Sequence, residues 1–368
     1  LFLEEAGDIN RNAGNGYMMG WTRLADGSYQ SPPGYYRQLV RRPDGSFLSR
    51  SPDGFKRYYQ ADGRLYCWED RFGNTMLFDY DGRGNLSTVV DPYGREVEFQ
   101  FQTVAGRDRL VRIRDFTGRE VVYSYDANGD LVSVRTPVVT GTSTGNDFPN
   151  GRLERYEYLS GFSGTQEHLN HNLTKVIRPE ESSSGVETIR YEYEQDPASA
   201  FFDRCTAEII GGTNASGIDA GGVASGAKRS IAYEMLSQAT LDAEGIPYDL
   251  ANPNTVPVGR ATVTERNGNV YQAYINARQQ HILTRRLTRG LRPGEPAFYD
   301  TRSFFNADQR LVRRVFPEGN ELRLVYDSGN PNRLAQGNVL EQRRVADPAR
   351  GGGEDLVTTM TYEPLYQQ

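Results

Sequence analysis

The chain has few groups to do chemistry with. It holds 3 histidines and 2 cysteines in 368 residues, which removes most of the usual catalytic and metal-binding sets at once. Cys67 and Cys205 lie far apart and form no CxxC pair, so neither a disulfide framework nor a thiolate metal site is indicated. Both are expected to be buried free thiols. Lysine occurs only at Lys56, Lys175 and Lys228, so almost every cation is arginine. No apolar run approaches the roughly 20 residues of a membrane helix. Only 37% of the chain is hydrophobic, too little for a thick close-packed core. A formal net charge of -6 gives no global attraction to nucleic acid or to an anionic membrane. Leu1–Asn10 carries acids where a signal peptide wants bases, and the chain starts without Met. It is expected to be a processed piece that carries no targeting signal itself.

Aromatic and turn-forming residues are what it does have. Disordered chains lack aromatics, whereas this one carries 23 Tyr, 16 Phe and 2 Trp, which points to a thin folded layer. The layer is repetitive. GNTMLFDYDGRGNLSTVVDPYG (Gly73–Gly94) and TGREVVYSYDANGDLVSV (Thr117–Val134) share one order: Gly, an aromatic run ending in Tyr-Asp, a Gly turn, a Leu, and a β-branched run. An earlier copy spans Ser51–Gly73. Later ones appear at Arg155–Tyr158, Arg190–Tyr193, Ser303–Gly319 and Gly319–Asp327. Each unit reads as a strand, a tight turn and a second strand. Val121, Tyr123 and Tyr125 share one face by the period-2 rule, as do Met76, Phe78 and Tyr80.

The turns Asp81–Gly84 and Asp126–Gly129 carry the residues that reverse a chain, which makes the motif Asp a turn initiator. In the second strand Leu86 and Val89 sit three apart, as do Leu131 and Val134. Strict alternation puts the members of each pair on opposite faces, so both faces are expected to be partly covered. Long insertions interrupt the pattern at about Val138–Asn150, Gln195–Pro257 and Leu340–Glu354. The middle one holds a Gly-rich stretch, Gly211–Gly226, expected to be a surface loop. Helix is expected only in short pieces, with Tyr233–Leu241 a candidate.

These in-register copies resemble the YD-repeat or Rhs-repeat family, over about Asp26 to the C-terminus. The resemblance implies an all-β fold: a spiralling antiparallel β-hairpin ribbon of YD repeats forming part of a hollow shell or cocoon. It also implies a bacterial polymorphic-toxin or toxin-complex context, or a teneurin-like surface protein. Four parts are expected: a lead-in over 1–50, regular repeats over 51–137, repeats with long insertions over 138–302, and further repeats over 303–368. The implied function is a structural wall that encapsulates a toxin or other polypeptide cargo. Its partners would be that cargo and the rest of its own parent shell, and the parent would be secreted or at the cell surface. The alternative is an extracellular adhesion or carbohydrate-binding module, with carbohydrate or a cell-surface protein as partner. Asp91-Pro92-Tyr93-Gly94 resembles the strings that surround paired Asp residues in the family's autoprotease, yet it stands alone at an ordinary repeat boundary.

Catalytic patterns are otherwise missing. His168-x-x-His171 beside Glu167 lacks the order of a zincin helix, which needs a Glu between two His one turn apart. Gly82-Arg83-Gly84 lacks the third glycine of a dinucleotide fingerprint, and Gly221–Ser230 misses the phosphate-loop spacing by one residue. Gly161-Phe162-Ser163-Gly164 is not a nucleophile elbow. Glu69-Asp70 cannot flank one bond, since neighbours on a strand face opposite ways. Asn85, Asn172 and Asn214 open chance glycosylation sequons. The one local basic patch, Arg278–Arg314 with Arg285, Arg286, Arg289 and Arg292, reads as a solvated strand face rather than an anion or glycan site. The expectation is therefore a non-enzyme, with no catalytic residue, no metal ligand and no cofactor. Neither nucleic-acid binding nor membrane insertion by this segment is expected.

Overall fold

The computed structural model describes residues 2–3, 8–12, 18–181, 188–211, 228–347, 349 and 351–365. Strand accounts for 46% of the chain and helix for 6%, so the all-β expectation holds. The fold divides into two compact units, one of Leu1–Glu96 with Thr301–Gln368 and one of Val97–Asp300.

In the first unit, strands Gln38–Arg41, Phe47–Arg50, Lys56–Tyr59, Leu65–Glu69, Thr75–Tyr80 and Leu86–Val90 pair antiparallel, each with its neighbour in sequence. The strands Leu311–Val315, Glu321–Tyr326, Val339–Val345 and Leu356–Thr359 do the same. A separate small sheet holds Ile9–Asn12, Met18–Arg23 and Tyr29–Gln30. Its Ile9, Met19 and Trp21 pack with Leu39, Phe47 and Tyr59 into one buried cluster. The second unit is a longer run of the same pairing, from Arg107–Asp115 through Glu120–Tyr125 and Leu131–Arg135 to His281–Leu287.

Nine hairpins share a feature that alternation alone does not reveal. Each has a register shift immediately beside the motif aromatic position, as between Ser124 and Tyr125 or between Val325 and Tyr326. Tyr80 pairs with Leu86, but Phe78 pairs with Val89. One extra residue in the second strand bulges out, and residues three apart then return to the same side. Leu86 and Val89 therefore share the face of Tyr80 and Phe78, and Leu131 and Val134 share that of Tyr125 and Tyr123. The opposite-face expectation is wrong for this reason.

The bulge also explains the tyrosine. The hydroxyl of Tyr80 donates to the carbonyl of Leu65, the residue beside the bulge of the preceding hairpin, at 2.7 Å. Tyr125 reaches Leu110 at 2.8 Å, Tyr158 reaches Leu131 at 2.9 Å and Tyr193 reaches Leu173 at 2.7 Å. Tyr233 reaches Cys205 and Tyr326 reaches Leu311, both at 2.9 Å. A bulge disrupts the ladder locally, and each hydroxyl supplies a donor there while tying one hairpin to the next. Arg64, Arg204 and Arg310, each just before a rung carbonyl, lie over the rings of Tyr80, Tyr233 and Tyr326 at 5.6, 5.2 and 5.7 Å.

The motif Asp behaves as a turn initiator. Asp81 Oδ1 accepts the amides of Arg83 and Asn85 at 2.9 and 2.8 Å, and Asp126 does the same for Asn128 and Asp130, both at 2.9 Å. Gly84 closes its turn at φ +89°, a conformation open to glycine. The insertion Gln195–Pro257 is not one loop. Strands Cys205–Ile210 and Lys228–Met235 run through it, with Cys205 in the place Leu takes elsewhere. Among the described residues α-helix is confined to Gln238–Ala243, with short 3-10 turns elsewhere, and Tyr233 is on a strand. Val339–Val345 likewise carries the ribbon into the third insertion. Residues 212–227 of the Gly-rich stretch lie outside those described.

Two outcomes follow from the rungs. Tyr125→Phe should lower stability by about 1 kcal/mol, the net worth of a hydrogen bond, and Tyr125→Ala by about 2 kcal/mol, because the ring is only half-buried. Ser163→Ala should change stability by less than about 0.5 kcal/mol in the same denaturant titration. Burial raises the rung tyrosines above the ordinary phenol value, Tyr193 to about 12. A raised acid constant contributes stability that is intact below the unfolded value near 10 and is lost as pH rises through the folded one. Stability should therefore fall between pH of about 10 and about 12. Ultraviolet titration should show phenols ionising later in the native protein than in denaturant, and coincident curves would contradict the ladder.

Candidate functional site

The Arg-rich segment lines a groove of about 660 Å³ in the second unit, with Tyr271, His281, Thr284, Arg286, Glu295 and Tyr299 among its walls. The register Tyr271–Arg286, Ala273–Thr284 and Ile275–His281 places its floor on the rung-bearing face. His281 Nε2 lies 3.0 Å from both the Leu283 carbonyl and Thr284 Oγ1. Glu295 accepts the Leu291 amide at 3.1 Å. Arg286 is exposed, with no ion pair among the described residues. The groove thus offers a guanidinium and two phenols to a ligand.

Arg285 departs from the solvated-face expectation. It is 5% exposed, forks onto Asp300 at 2.9 and 3.0 Å, and lies 3.6 Å above the Phe298 ring. Alternation explains the split: Arg285 and Arg286 are consecutive and must face opposite ways. Arg289 donates to the Asn267 carbonyl, and Arg292 is exposed.

The other residues singled out by sequence fall into structural roles. His171 Nδ1 lies 2.8 and 3.0 Å from the two oxygens of Asp130, while His168 stays in the 3-10 turn Gly164–Leu169. Among the described residues no three His, Cys, Asp or Glu are grouped to hold a metal. Asn170 clamps the Gly161–Gly164 loop through both the amide and the carbonyl of Phe162. Glu69 accepts from Lys56 and Tyr58, both at 2.6 Å, whereas Asp70 caps its turn. Asp91 accepts the amides of Tyr93 and Arg95 at 2.8 and 3.0 Å, an ordinary turn of this protein. Cys67 is buried and Cys205 half-buried, both as free thiols. Asn85 lies in a turn, and Asn214 and residues 221–227 of the glycine motif fall outside the described residues.

No protein-family model matches the chain. Over 110 residues it is 33% identical to the double-stranded DNA deaminase toxin A of Burkholderia cenocepacia (strain H111), a match covering 27% of this chain and 8% of that protein. A crystal structure of TcdB2-TccC3-Cdc42 overlaps 98% of this chain and 18% of its own, at 12% identity and a TM-score of 0.44. A Photorhabdus luminescens Tc holotoxin pore overlaps 98% of this chain and 19% of its own, at 14% identity and a TM-score of 0.39. This chain therefore spans a small part of each of these proteins. The internal pattern says more: the Tyr-Asp turn, the bulge and the hydroxyl rung coincide at Tyr80, Tyr125 and Tyr326, and the bulge and rung recur without the Asp at Tyr158 and Tyr193. In this the chain resembles the YD-repeat proteins.

Within these YD repeats, the two neighbouring arginines give a direct test. Asp300→Ala should destabilise by about 3 kcal/mol by leaving a buried guanidinium unpaired, whereas Arg286→Ala should stay within about 0.5 kcal/mol. Equal losses in a denaturant titration would contradict the opposite facing of Arg285 and Arg286.

Proposed function

We propose that this YD-repeat chain is a structural wall segment of a larger, toxin-associated Rhs shell, with polypeptide cargo against its inner face. The observation that carries the reading is the rung-bearing face itself. Phe78 and Tyr80 in the first unit, and Tyr123 and Tyr125 in the second, are only half-covered. A sheet normally buries its apolar face under a second layer. Here the small N-terminal sheet covers part of that face, around Leu39, Phe47 and Tyr59. The remainder suits a non-specific apolar lining, and the likeness to a protein named as a toxin supports a toxin-associated setting. In this reading the parent is secreted or at the cell surface, and the chain is non-enzymatic. In this reading its parts are a lead-in over 1–50, regular repeats over 51–137, repeats with insertions over 138–302 and closing repeats over 303–368.

A second reading, an adhesive or carbohydrate-binding module, is favoured by one feature, the open groove of Arg286 with Tyr271 and Tyr299. The two readings differ in what the chain captures. Size-exclusion chromatography with light scattering, run with and without reduced, carboxymethylated α-lactalbumin as an unfolded probe, separates them. The wall reading expects self-association or capture of the probe, undiminished by Arg286→Ala. A strictly monomeric chain that ignores the probe would overturn it.

A further inference from the structure

Three arginines of the first unit converge on one buried phenol. Tyr59 is 5% exposed, and the guanidiniums of Arg11, Arg37 and Arg57 all act on its hydroxyl, with Arg11 hydrogen-bonded to it. The fold brings them there from separate elements. Arg57 lies two residues before Tyr59 on the strand Lys56–Tyr59, so both side chains share a face. Arg37 lies two before Leu39, which packs with Tyr59 in the same buried cluster. Arg11 comes from the strand Ile9–Asn12, whose Ile9 lies in that cluster too.

The heads are held in place and under-supplied with acceptors. Arg57 lies over the Trp68 ring at 5.1 Å and Arg37 over the Tyr35 ring at 5.5 Å. Arg37 Nη1 and Arg57 Nη1 are each fully buried without an acceptor among the described residues. The nearby carboxylate, Asp53, accepts from Ser51 Oγ at 2.6 Å and from the Phe55 amide at 3.3 Å instead. Tyr59 gives no negative charge, because burial raises its ionisation above the ordinary phenol value. Burial and the neighbouring arginines also bring Arg57 down to about 10. Like charges gathered out of water with unmet donors are costly unless an anion joins them.

We infer that Arg11, Arg37 and Arg57 form an oxyanion site that takes a phosphate, sulfate or carboxylate group. Guanidinium forks match all three geometrically. The site is separate from the groove at Arg286 and does not depend on the shell reading.

The experiment is thermal unfolding of the whole chain at constant ionic strength, with chloride replaced in turn by inorganic phosphate, sulfate and acetate. Phosphate or sulfate at about 10 mM should raise Tm by about 2–4 °C and saturate if the source is a free tetrahedral anion. A response to acetate alone identifies a carboxylate. Arg57→Gln and Arg37→Gln should each abolish the shift, and Arg37→Gln decides alone if the first variant does not fold. Equal Tm in all four salts, or a shift undiminished in the folded variants, would overturn the site.

Discussion

The hydrogen bond from a tyrosine hydroxyl to the carbonyl beside a β-bulge is the contact on which the rest of this protein depends. A hairpin pairs only with its sequence neighbours and carries too little apolar surface to be stable alone. The bulge leaves a hairpin locally imperfect, and in most bulged copies the next tyrosine corrects it, as Tyr158 does for Leu131 and Tyr193 for Leu173. The sheet therefore gains a second set of links besides its backbone ladder, running across pairs of strands. Each is worth about 1 kcal/mol net, yet their repetition lets a chain that is only 37% hydrophobic stay folded.

That economy accounts for the arginine bias. A layer with one thin core has many cations close to aromatic faces, and guanidinium stacks where ammonium cannot. Arg204 lies between two rings, 5.5 Å from Phe201 and 5.2 Å from Tyr233. On Glu321 the same preference produces a fork from Arg313 and a single bond from Arg323, which hold its carboxyl down to about 2. The bias is thus used structurally at named positions, whatever its origin in the genome.

The repeat, the strand class and the turn role of Asp81 were legible in sequence because each depends on neighbours within a few residues. What was not legible depended on distance or on a broken rule. The spacing of Leu86 and Val89 held the signal for the bulge: two apolar residues three apart, repeated at Leu131 and Val134 and at Leu173 and Val176, contradict alternation unless a residue is inserted. Cys205 hid a repeat inside the supposed insertion, since the Leu position had changed identity. The cluster around Tyr59 left no local signal, because Arg11, Arg37 and Arg57 meet only through tertiary packing. The Arg285 and Arg286 contrast was recoverable from alternation, but only once the strand His281–Leu287 was placed.

The rule is best tested where the rung is missing. Ile275 occupies the tyrosine position of its hairpin, opposite His281 and beside the usual register shift, yet it has no hydroxyl to donate. There the long insertion takes over. Its helix Gln238–Ala243 brings Leu241 onto the other face of the same hairpin, where Leu241 and Ile246 enclose Tyr274 and Leu283. Tyr274 is fully buried, and its hydroxyl bonds to Gln272 at 2.8 Å and accepts from Arg260 at 3.2 Å. Arg260 in turn pairs with Glu234 and Glu244, joining the insertion to the strands that flank it. A hairpin without the tyrosine link on one face carries a small core and an ion-pair network on the other. The insertion thus ties this hairpin to the strands that flank it, as a tyrosine rung does elsewhere in the sheet.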